Sequence, residues 1–292
     1  MANEIKKAII PVGGLGTRFL PLSKVIPKEF FPLVDKPVIQ YIVEEAKKSG
    51  IKEIIFVISP AQKMIMNYVK PAKELEKILA KRKKDDLLKE LREFEDVLDG
   101  LKINFAVQRE PKGDGHAILQ AAKFIGDEPV AVLFSDDVVD SDVPAISQLM
   151  DIYKTCGTPV MALKSLPKEK LPAYGVVGNE KIANRLYKVK KIIEKPTLEE
   201  APSDLVVVGK YVLTPEVFKY LKKAKPTKKG EIILAEVFDK MLLDGKIIYG
   251  YEFKGEWLEC GDKRKWLKSF LYFAMKDPRY GAELKSYLKE IK

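Results

Sequence analysis

The stretch GGLGTRFLPLSKVIPKEFFPL, residues 13–33, decides how this chain is read. It holds three glycines, one arginine, two lysines and three prolines, a mixture that suits neither helix nor strand and offers little to bury. An apolar run, Ala8 to Val12, leads into it, and an amphipathic segment from Val38 follows. A buried strand that ends in Gly13-Gly14-Leu15-Gly16-Thr17-Arg18 ends in free backbone N–H groups. Glycine lets φ turn positive and lets an anion approach the main chain closely, and successive N–H groups in such a turn make an anion-binding concavity. Arg18 and Lys28 add full positive charge to that cradle. Pro21, Pro27 and Pro32 are expected to hold the following loop extended, so that Lys24 and Lys28 are presented on a restrained segment. The spacing excludes two familiar loops. No Gly-Lys-Ser/Thr opens a helix, and after Gly14 and Gly16 position 19 is Phe, which breaks G-x-G-x-x-G. The stretch therefore predicts a phosphate loop of another kind.

Outward from this loop, apolar periodicity alternates. Ala8 to Val12 reads as a buried strand, and Val38 to Ser49 as a helix with Val38, Ile39, Ile42, Val43 and Ala46 on one face and Gly50 as its stop. Residues 53–58 form a second strand, and strand, helix, strand implies a parallel crossover. Residues 72–99 read as a pair of charged helices, 103–108 as a strand, 115–126 as a helix, 129–134 as a strand, 143–155 as a helix and 159–166 as a strand. After Pro172 the style changes to strands joined by a polar turn (174–196), a further strand (204–213), a helix started by Thr214-Pro215-Glu216, a helix closed by Gly245, a strand (246–253), and a mostly helical end from Asp262 to Ile291 interrupted near Pro278. The expected fold is α/β: a Rossmann-like mixed, mostly parallel sheet flanked by helices, with a helical C-terminal segment. One domain over 1–292 is expected, with parts at 1–170 and 171–260 that differ in style and C-terminal helices over 261–292.

Composition narrows the classes. Of 292 residues, 46% are hydrophobic, enough for a sizeable core. The formal net charge of +10 invites an anionic partner. The basic residues are mixed with acids, as in residues 73–96, and no nucleic-acid-binding spacing occurs, so no nucleic-acid partner is expected. Two distant cysteines, Cys156 and Cys260, argue against a disulfide framework. With no apolar stretch of a leader or membrane span, the expectation is a cytoplasmic protein with no membrane partner.

Other residues carry chemistry but also admit plainer roles. Asp136 and Asp137 follow a strand end, where ligands collect in open α/β sheets, yet aspartates are also common in turns and caps. Gln108 has an amide that both donates and accepts, which suits a pyrimidine edge. Glu194-Lys195 is either a sugar-phosphate grip or an exposed ion pair. His116, the one histidine, reads as a helix-start structural residue.

Gly14-Leu15-Gly16-Thr17-Arg18, Pro21, Pro27-Lys28-Glu29 and Pro32 resemble the signature of sugar-nucleotide pyrophosphorylases, and within them the bacterial-type UTP–glucose-1-phosphate uridylyltransferase (UDP-glucose pyrophosphorylase) family. KGDGHAI, AYGVV, IIEKP, SDLVVVGKYVLTP and CGDK match later motifs, so the resemblance covers nearly the whole chain. Three departures stand out: Val12-Gly13 in place of two alanines, Lys229-Gly230-Glu231 where an aspartate often precedes the glutamate, and Ser135 where proline or glycine is frequent. The resemblance implies the nucleotide-diphospho-sugar transferase fold and a reaction of UTP with glucose 1-phosphate to give UDP-glucose and pyrophosphate, assisted by Mg²⁺. It implies Arg18, Lys28 and Lys195 as catalytic residues, and Gly13, Gly14, Leu15, Gly16, Thr17, Gln108, Gly115 and Asp136 at the nucleotide. It further implies Tyr174, Gly175, Glu194 and Lys195 at the sugar, Asp136 and Asp262 at the metal, a nucleotide-binding part over 1–170 and a sugar-binding part over 171–260, and a homodimer or homotetramer. A thymidylyltransferase or another nucleoside-triphosphate:hexose-1-phosphate transferase is the nearest alternative, and a non-catalytic nucleotide-sugar sensor a more distant one. Random-sequence DNA is expected to give no salt-sensitive mobility shift with this protein, and a shift that weakens steeply with salt would contradict that expectation.

Overall fold

In the computed structural model, which describes residues 4–291, the first strand, β1 (Lys7–Pro11), is fully buried at Ala8, Ile9 and Ile10. A strand apolar at consecutive positions needs cover on both faces, and β1 has it. Ala8 and Ile10 join one core cluster, with Val38, Ile39 and Ile42, while Ile9 joins the other, with Ile118, Val217 and Phe238. The alternation follows the two-residue period of a strand.

The elements in chain order are β1, β2 (Pro32–Leu33), β3 (Lys36–Pro37), α1 (Val38–Lys48), β4 (Glu53–Ile58), α2 (Met64–Tyr68), α3 (Lys73–Lys81), α4 (Asp85–Leu98), β5 (Lys102–Val107), α5 (Asp114–Gln120), α6 (Ala122–Ile125), β6 (Val130–Leu133), β7 (Asp137–Asp140), α7 (Ala145–Cys156), β8 (Val160–Ser165), β9 (Gly175–Ala183), β10 (Leu186–Glu194), β11 (Leu205–Leu213), α8 (Pro215–Lys223), α9 (Leu234–Leu243), β12 (Tyr249–Glu252), β13 (Glu256–Glu259), α10 (Lys263–Lys276) and α11 (Gly281–Glu290). Nine strands form one sheet in the order β5-β4-β1-β6-β11-β8-β12-β10-β9. Strands β5, β4, β1 and β6 are mutually parallel, β8 and β12 run the same way, and β11 and β10 run against them. With β9 antiparallel to β10, only β11 and β10 oppose the common direction. The sheet is mixed and mostly parallel, as the alternating periodicity implies.

The expected elements from Val38 to Ile291 are present, most with bounds shifted by a residue or two; the strand expected over 246–253 is confined to Tyr249–Glu252, the helix expected over 115–126 is split into α5 and α6, and α2 was not foreseen. Three further features differ. Thr214 occupies the N-cap position of α8 in an extended conformation, but its side chain makes no capping hydrogen bond. Pro215 still opens the helix, since its missing N–H is one that a helix start leaves unpaired anyway. A small antiparallel pair, β7 with β13, aligns Asp137 with Glu259 and was not foreseen. Neither strand is long enough to show a period. Third, residues 13–33 are not an extended loop that buries nothing. They wind into three short 3₁₀ turns, Thr17–Phe19, Leu22–Lys24 and Lys28–Phe30. Phe19, Glu29, Phe31 and Leu33 are buried, and the rings of Phe19 and Phe31 meet edge to face with centroids 4.7 Å apart. The fixed φ of Pro21 and Pro27 suits the approach to a tight turn as well as an extended chain.

The C-terminal helices brace this loop. Lys263 Nζ donates to Leu20 O at 2.6 Å, Trp266 Nε1 donates to Pro32 O at 3.1 Å, and Arg279 pairs with Asp35 at 2.5 Å. The tryptophan on α10 thus belongs to the support of the loop. Among the described residues, no helix is long and apolar enough to cross a membrane, and Cys156 and Cys260 are both free.

On the helix side of the sheet, Lys210 of β11 is fully buried and its Nζ lies 2.7 Å from Glu45 Oε2 on α1. Glu45 Oε1 accepts from the Ile146 N–H at the start of α7, 3.0 Å away. Three elements distant in sequence are pinned by one ion pair. Removing one partner strands the other charge in the core. Lys210→Ala is expected to cost about 3–5 kcal/mol in denaturant unfolding, and a loss below about 1 kcal/mol would show that the pair carries no structural weight.

Candidate active site

Parallel strands deliver their ends to one edge of the sheet. β1 delivers the glycine turn, β5 delivers Gln108, and β6 delivers Ser135, Asp136 and Asp137. Between them lies a cavity of about 370 Å³ walled by Gly13, Gly14, Leu15, Gly16 and Thr17, by Lys28 and Asp136, and by Gln108, Gly113 and Glu231. Two of the three glycines are constrained. A Cβ on Gly13 would lie 3.2 Å from Ser59 N, and Gly16 has φ 62°, a left-handed backbone that glycine adopts without strain.

Lys28 leans over Gly14 and its Nζ lies 2.5 Å from Asp136 Oδ2. The two side chains keep 18% and 25% of their surface exposed, so the pair forms the cavity wall and not the core. Burial works against the Lys28 ammonium, but the charge and hydrogen bond of the Asp136 carboxylate oppose this and its pKa is raised. Asp136 is the mirror case: burial favours its neutral form, yet the charge and hydrogen bond of Lys28 hold it below the usual carboxylate range. Both groups are charged when a polyanion arrives.

Asp137 points elsewhere. Its Oδ1 accepts from Trp257 Nε1 at 2.8 Å and its Oδ2 from the Gly209 N–H at 3.1 Å. Burial, then the neighbouring Asp136 and Glu259 carboxylates, push it up to about 7. Arg18 is exposed on the rim. A Cβ on Gly261 would lie 3.2 Å from Asp136 Oδ2, 3.2 Å from Glu259 Oε1 and 3.7 Å from Arg18 Nη1, so these three side chains converge on one glycine. Asp262 has a competing duty. Its Oδ1 accepts from the Lys265 N–H at 3.0 Å and caps α10, while its Oδ2 lies 3.7 Å from Lys265 Nζ. The carboxylate beside Asp136 is that of Glu259, which the sequence reading passed over.

On the base side, Gln108 is buried. Its Nε2 donates to Gly113 O at 3.0 Å and lies 3.0 Å from His116 Nδ1. His116 also contacts Gln120 at 3.2 Å, which makes it part of the scaffold of α5. Gly115 is not on the cavity surface. Its N–H donates to Ile232 O at 3.0 Å, and a Cβ there would press on Ile232 O and Leu221. Its smallness serves the packing of α5 against the 231–233 segment. Gly113 faces the cavity in a conformation with φ 93°.

The sugar-side candidates sit together at the paired ends of β9 and β10, where Gly175 aligns with Glu194. A Cβ on Gly175 would lie 2.9 Å from Glu194 Oε2, so a larger residue there would make that carboxylate shift. Lys195 adopts a left-handed backbone with φ 50°, and its N–H donates to Tyr174 O at 3.0 Å. Such strain in a non-glycine residue costs about 1–3 kcal/mol and collects at working sites. Lys195 Nζ and Glu194 Oε1 are 3.8 Å apart and largely exposed, a pairing weak enough to yield to a ligand. Tyr174 donates its hydroxyl to Glu259 Oε2 at 2.6 Å, and Lys265 Nζ lies 2.7 Å from Glu259 Oε1 and 4.6 Å from the Tyr174 ring centre. Glu259 therefore connects the sugar-side tyrosine to the neighbourhood of Asp136.

A nucleotidyl transferase family model matches residues 7–275. The chain belongs to the nucleotidyl transferase family. This nucleotidyltransferase is 43% identical over 289 residues to a UTP–glucose-1-phosphate uridylyltransferase of Staphylococcus haemolyticus, covering 99% of each chain. Among solved structures it resembles a UTP-bound UGPase from Acinetobacter baumannii, with a TM-score of 0.90, 36% identity, and coverage of 99% of this chain and 100% of that one. It also resembles a UDP-glucose pyrophosphorylase complexed with UDP-glucose, with a TM-score of 0.84, 33% identity, and coverage of 94% and 100%.

A Cβ on Gly113 of this nucleotidyltransferase would lie 2.5 Å from Ile232 O, a backbone atom that cannot step aside cheaply. Gly113→Ala is expected to lower unfolding stability by about 1–3 kcal/mol and to weaken nucleotide binding. Equilibrium unfolding and titration with a nucleoside triphosphate measure both, and an unchanged variant would show that the loop is free to move.

Proposed function

We propose that this nucleotidyltransferase joins UTP and glucose 1-phosphate to give UDP-glucose and pyrophosphate. The observation that carries the reading is the glycine-lined cavity closed by the Lys28–Asp136 pair, in a chain similar over its full length to uridylyltransferases. The attacking oxygen belongs to the sugar phosphate and is already anionic. A bond forms between that oxygen and the α-phosphorus, the bond from the α-phosphorus to the β-phosphate oxygen breaks, and pyrophosphate leaves. No protein nucleophile is needed. The chain must bring two polyanions together, align them and offset their charge.

The N–H groups of Gly13 to Thr17, with Arg18 and Lys28, would hold the triphosphate and the departing pyrophosphate. Gln108 would meet the uracil through its amide. Tyr174, Gly175 and Glu194 would receive the sugar hydroxyls, and Lys195 would hold the incoming phosphate opposite the leaving group. Gly115 would act from behind, by keeping α5 close to residues 231–233. The residues suit Mg²⁺, since hard carboxylate oxygens converge where phosphate oxygens would arrive. Asp136 would hold the ion, with Glu259 or the uncapped oxygen of Asp262 as the second carboxylate. The chemistry such an ion would supply there is positive charge that offsets the charge developing on the phosphates. In this reading residues 1–170 serve the nucleotide and 171–260 the sugar, and 261–292 support both within one domain. The protein acts in the cytoplasm, which suits its two free cysteines, as a homodimer or homotetramer.

A pyrophosphate-release assay over a matrix of nucleoside triphosphates and sugar 1-phosphates, with and without Mg²⁺, tests the reading. Turnover is expected with UTP and glucose 1-phosphate and only with the metal. A preference for dTTP or for another hexose phosphate would replace the substrate assignment, and silence across the matrix would end it. Lys28→Ala and Asp136→Ala are each expected to cut turnover by at least about a hundredfold while the fold survives. Near-normal rates in both would overturn their roles.

A further inference from the structure

One buried acid beside Lys28 plays no part in the chemistry above. Glu29 is 2% exposed. Its Oε1 accepts from Ser135 Oγ at 3.4 Å, and its Oε2 has no partner among the described residues. Gln62, on the loop after β4, has its buried Oε1 in the same condition. Glu29 and Gln62 line one cavity of about 10 Å³, together with Val12, Pro27, Phe30 and Ile65, and Glu29 also borders the larger cavity beside Lys28. The small cavity has room for a single water at most. Two acceptors on residues that border it lack a donor, and each unmade hydrogen bond of a buried group costs about 1–3 kcal/mol. An ionised carboxylate with one long hydroxyl contact would cost far more. Burial pushes the Glu29 carboxyl up to about 7, against the opposing pull of the Lys28 ammonium. The charged groups acting on it are Lys28 and Asp136; Ser135 contributes only a neutral hydroxyl.

We propose that Glu29 is a neutral carboxylic acid that donates its proton to Gln62 Oε1, directly or through one water, and that it is a positioning residue for Lys28. A proton on Oε2 leaves Oε1 as the acceptor that the Ser135 hydroxyl already meets. The consequence is electrostatic. An ionised Glu29 would set two carboxylates, its own and that of Asp136, around one ammonium and leave the cavity wall negative where a triphosphate must enter. A neutral Glu29 leaves Lys28 balanced by Asp136 alone, with Arg18 tipping the rim positive. It also anchors residues 27–31 from behind, so that Lys28 faces the cavity.

The functional half of the proposal rests on Lys28 as a triphosphate ligand; the protonation half does not. Infrared difference spectra between the wild-type protein and Glu29→Gln, in mildly acidic buffer without substrate, test protonation. A carbonyl stretch of a protonated carboxylic acid is expected in the wild type and missing from the variant. Its absence would overturn the proposal and leave an ionised Glu29 held by a turned Gln62 amide or by water. Kinetics test positioning. Glu29→Gln, which copies the neutral acid, is expected to keep the UTP KM within about twofold, and Glu29→Ala to raise it about tenfold with the glucose 1-phosphate KM unchanged. A tenfold rise in Glu29→Gln, or a Glu29→Ala that only melts earlier with both KM values intact, would overturn the positioning role. Should Glu29→Ala not fold, the spectra and Glu29→Gln still decide.

Discussion

An ammonium and a carboxylate 2.5 Å apart, contributed by Lys28 and Asp136 from positions 108 residues apart in the chain, set the terms for everything around them. A charge pair at the wall of a cavity must be held by a frame that does not relax when a ligand pulls on one partner. The sheet is that frame. Asp136 sits at the end of β6 and the glycine turn at the end of β1, and the two strands pair directly in the centre of the sheet. The Lys28 segment has no strand of its own, so it is fixed by packing: the Phe19–Phe31 contact below and the C-terminal helices beside it.

Carboxylates outnumber cations near this pair, and the protein separates them by giving each its own donors. Asp137 receives the Trp257 and Gly209 N–H groups, Glu259 receives Tyr174 and Lys265, and Asp262 receives the start of α10. Of these four acids, Asp136 is the one that lines the cavity with Lys28. A set of acids that looks redundant in composition is therefore divided by hydrogen bonding, each with its own donors. Lys210 and Glu45 extend the arrangement to the far side of the sheet, where their pair fixes β11 and hence Gly209.

Much of the fold was legible because β1, β4, β6 and β8 are apolar at consecutive positions and the helices between them repeat at helical spacing. The parallel half follows from that alternation. The pairing of β7 with β13 was not legible, because four-residue strands carry no period and their partners are brought together only by the completed sheet. The phosphate loop was legible in its glycines and basic residues, which need little context. Its burial was not. Phe19 and Phe31 lie among prolines and charges, and only α10 gives them a place to pack. The structural duties of Gly115 and Asp262 were not legible for a related reason: a glycine that packs against residue 232 and an aspartate that caps a helix look the same, in sequence, as ligand contacts. Glu259 was missed since nothing in its neighbours marks it; its contact with Tyr174 spans 85 positions. The left-handed backbone of Lys195 has no sequence mark at all.

The bracing of the first loop by Lys263, Trp266 and Arg279 has a consequence for how the molecule comes into being. A ribosome makes the glycine turn early and its supports late. While the chain is still growing, Phe31 and Pro32 have no α10 to rest on. The loop that leaves the first strand thus acquires its supports 234 to 243 residues after it is made, at Trp266 and Lys263.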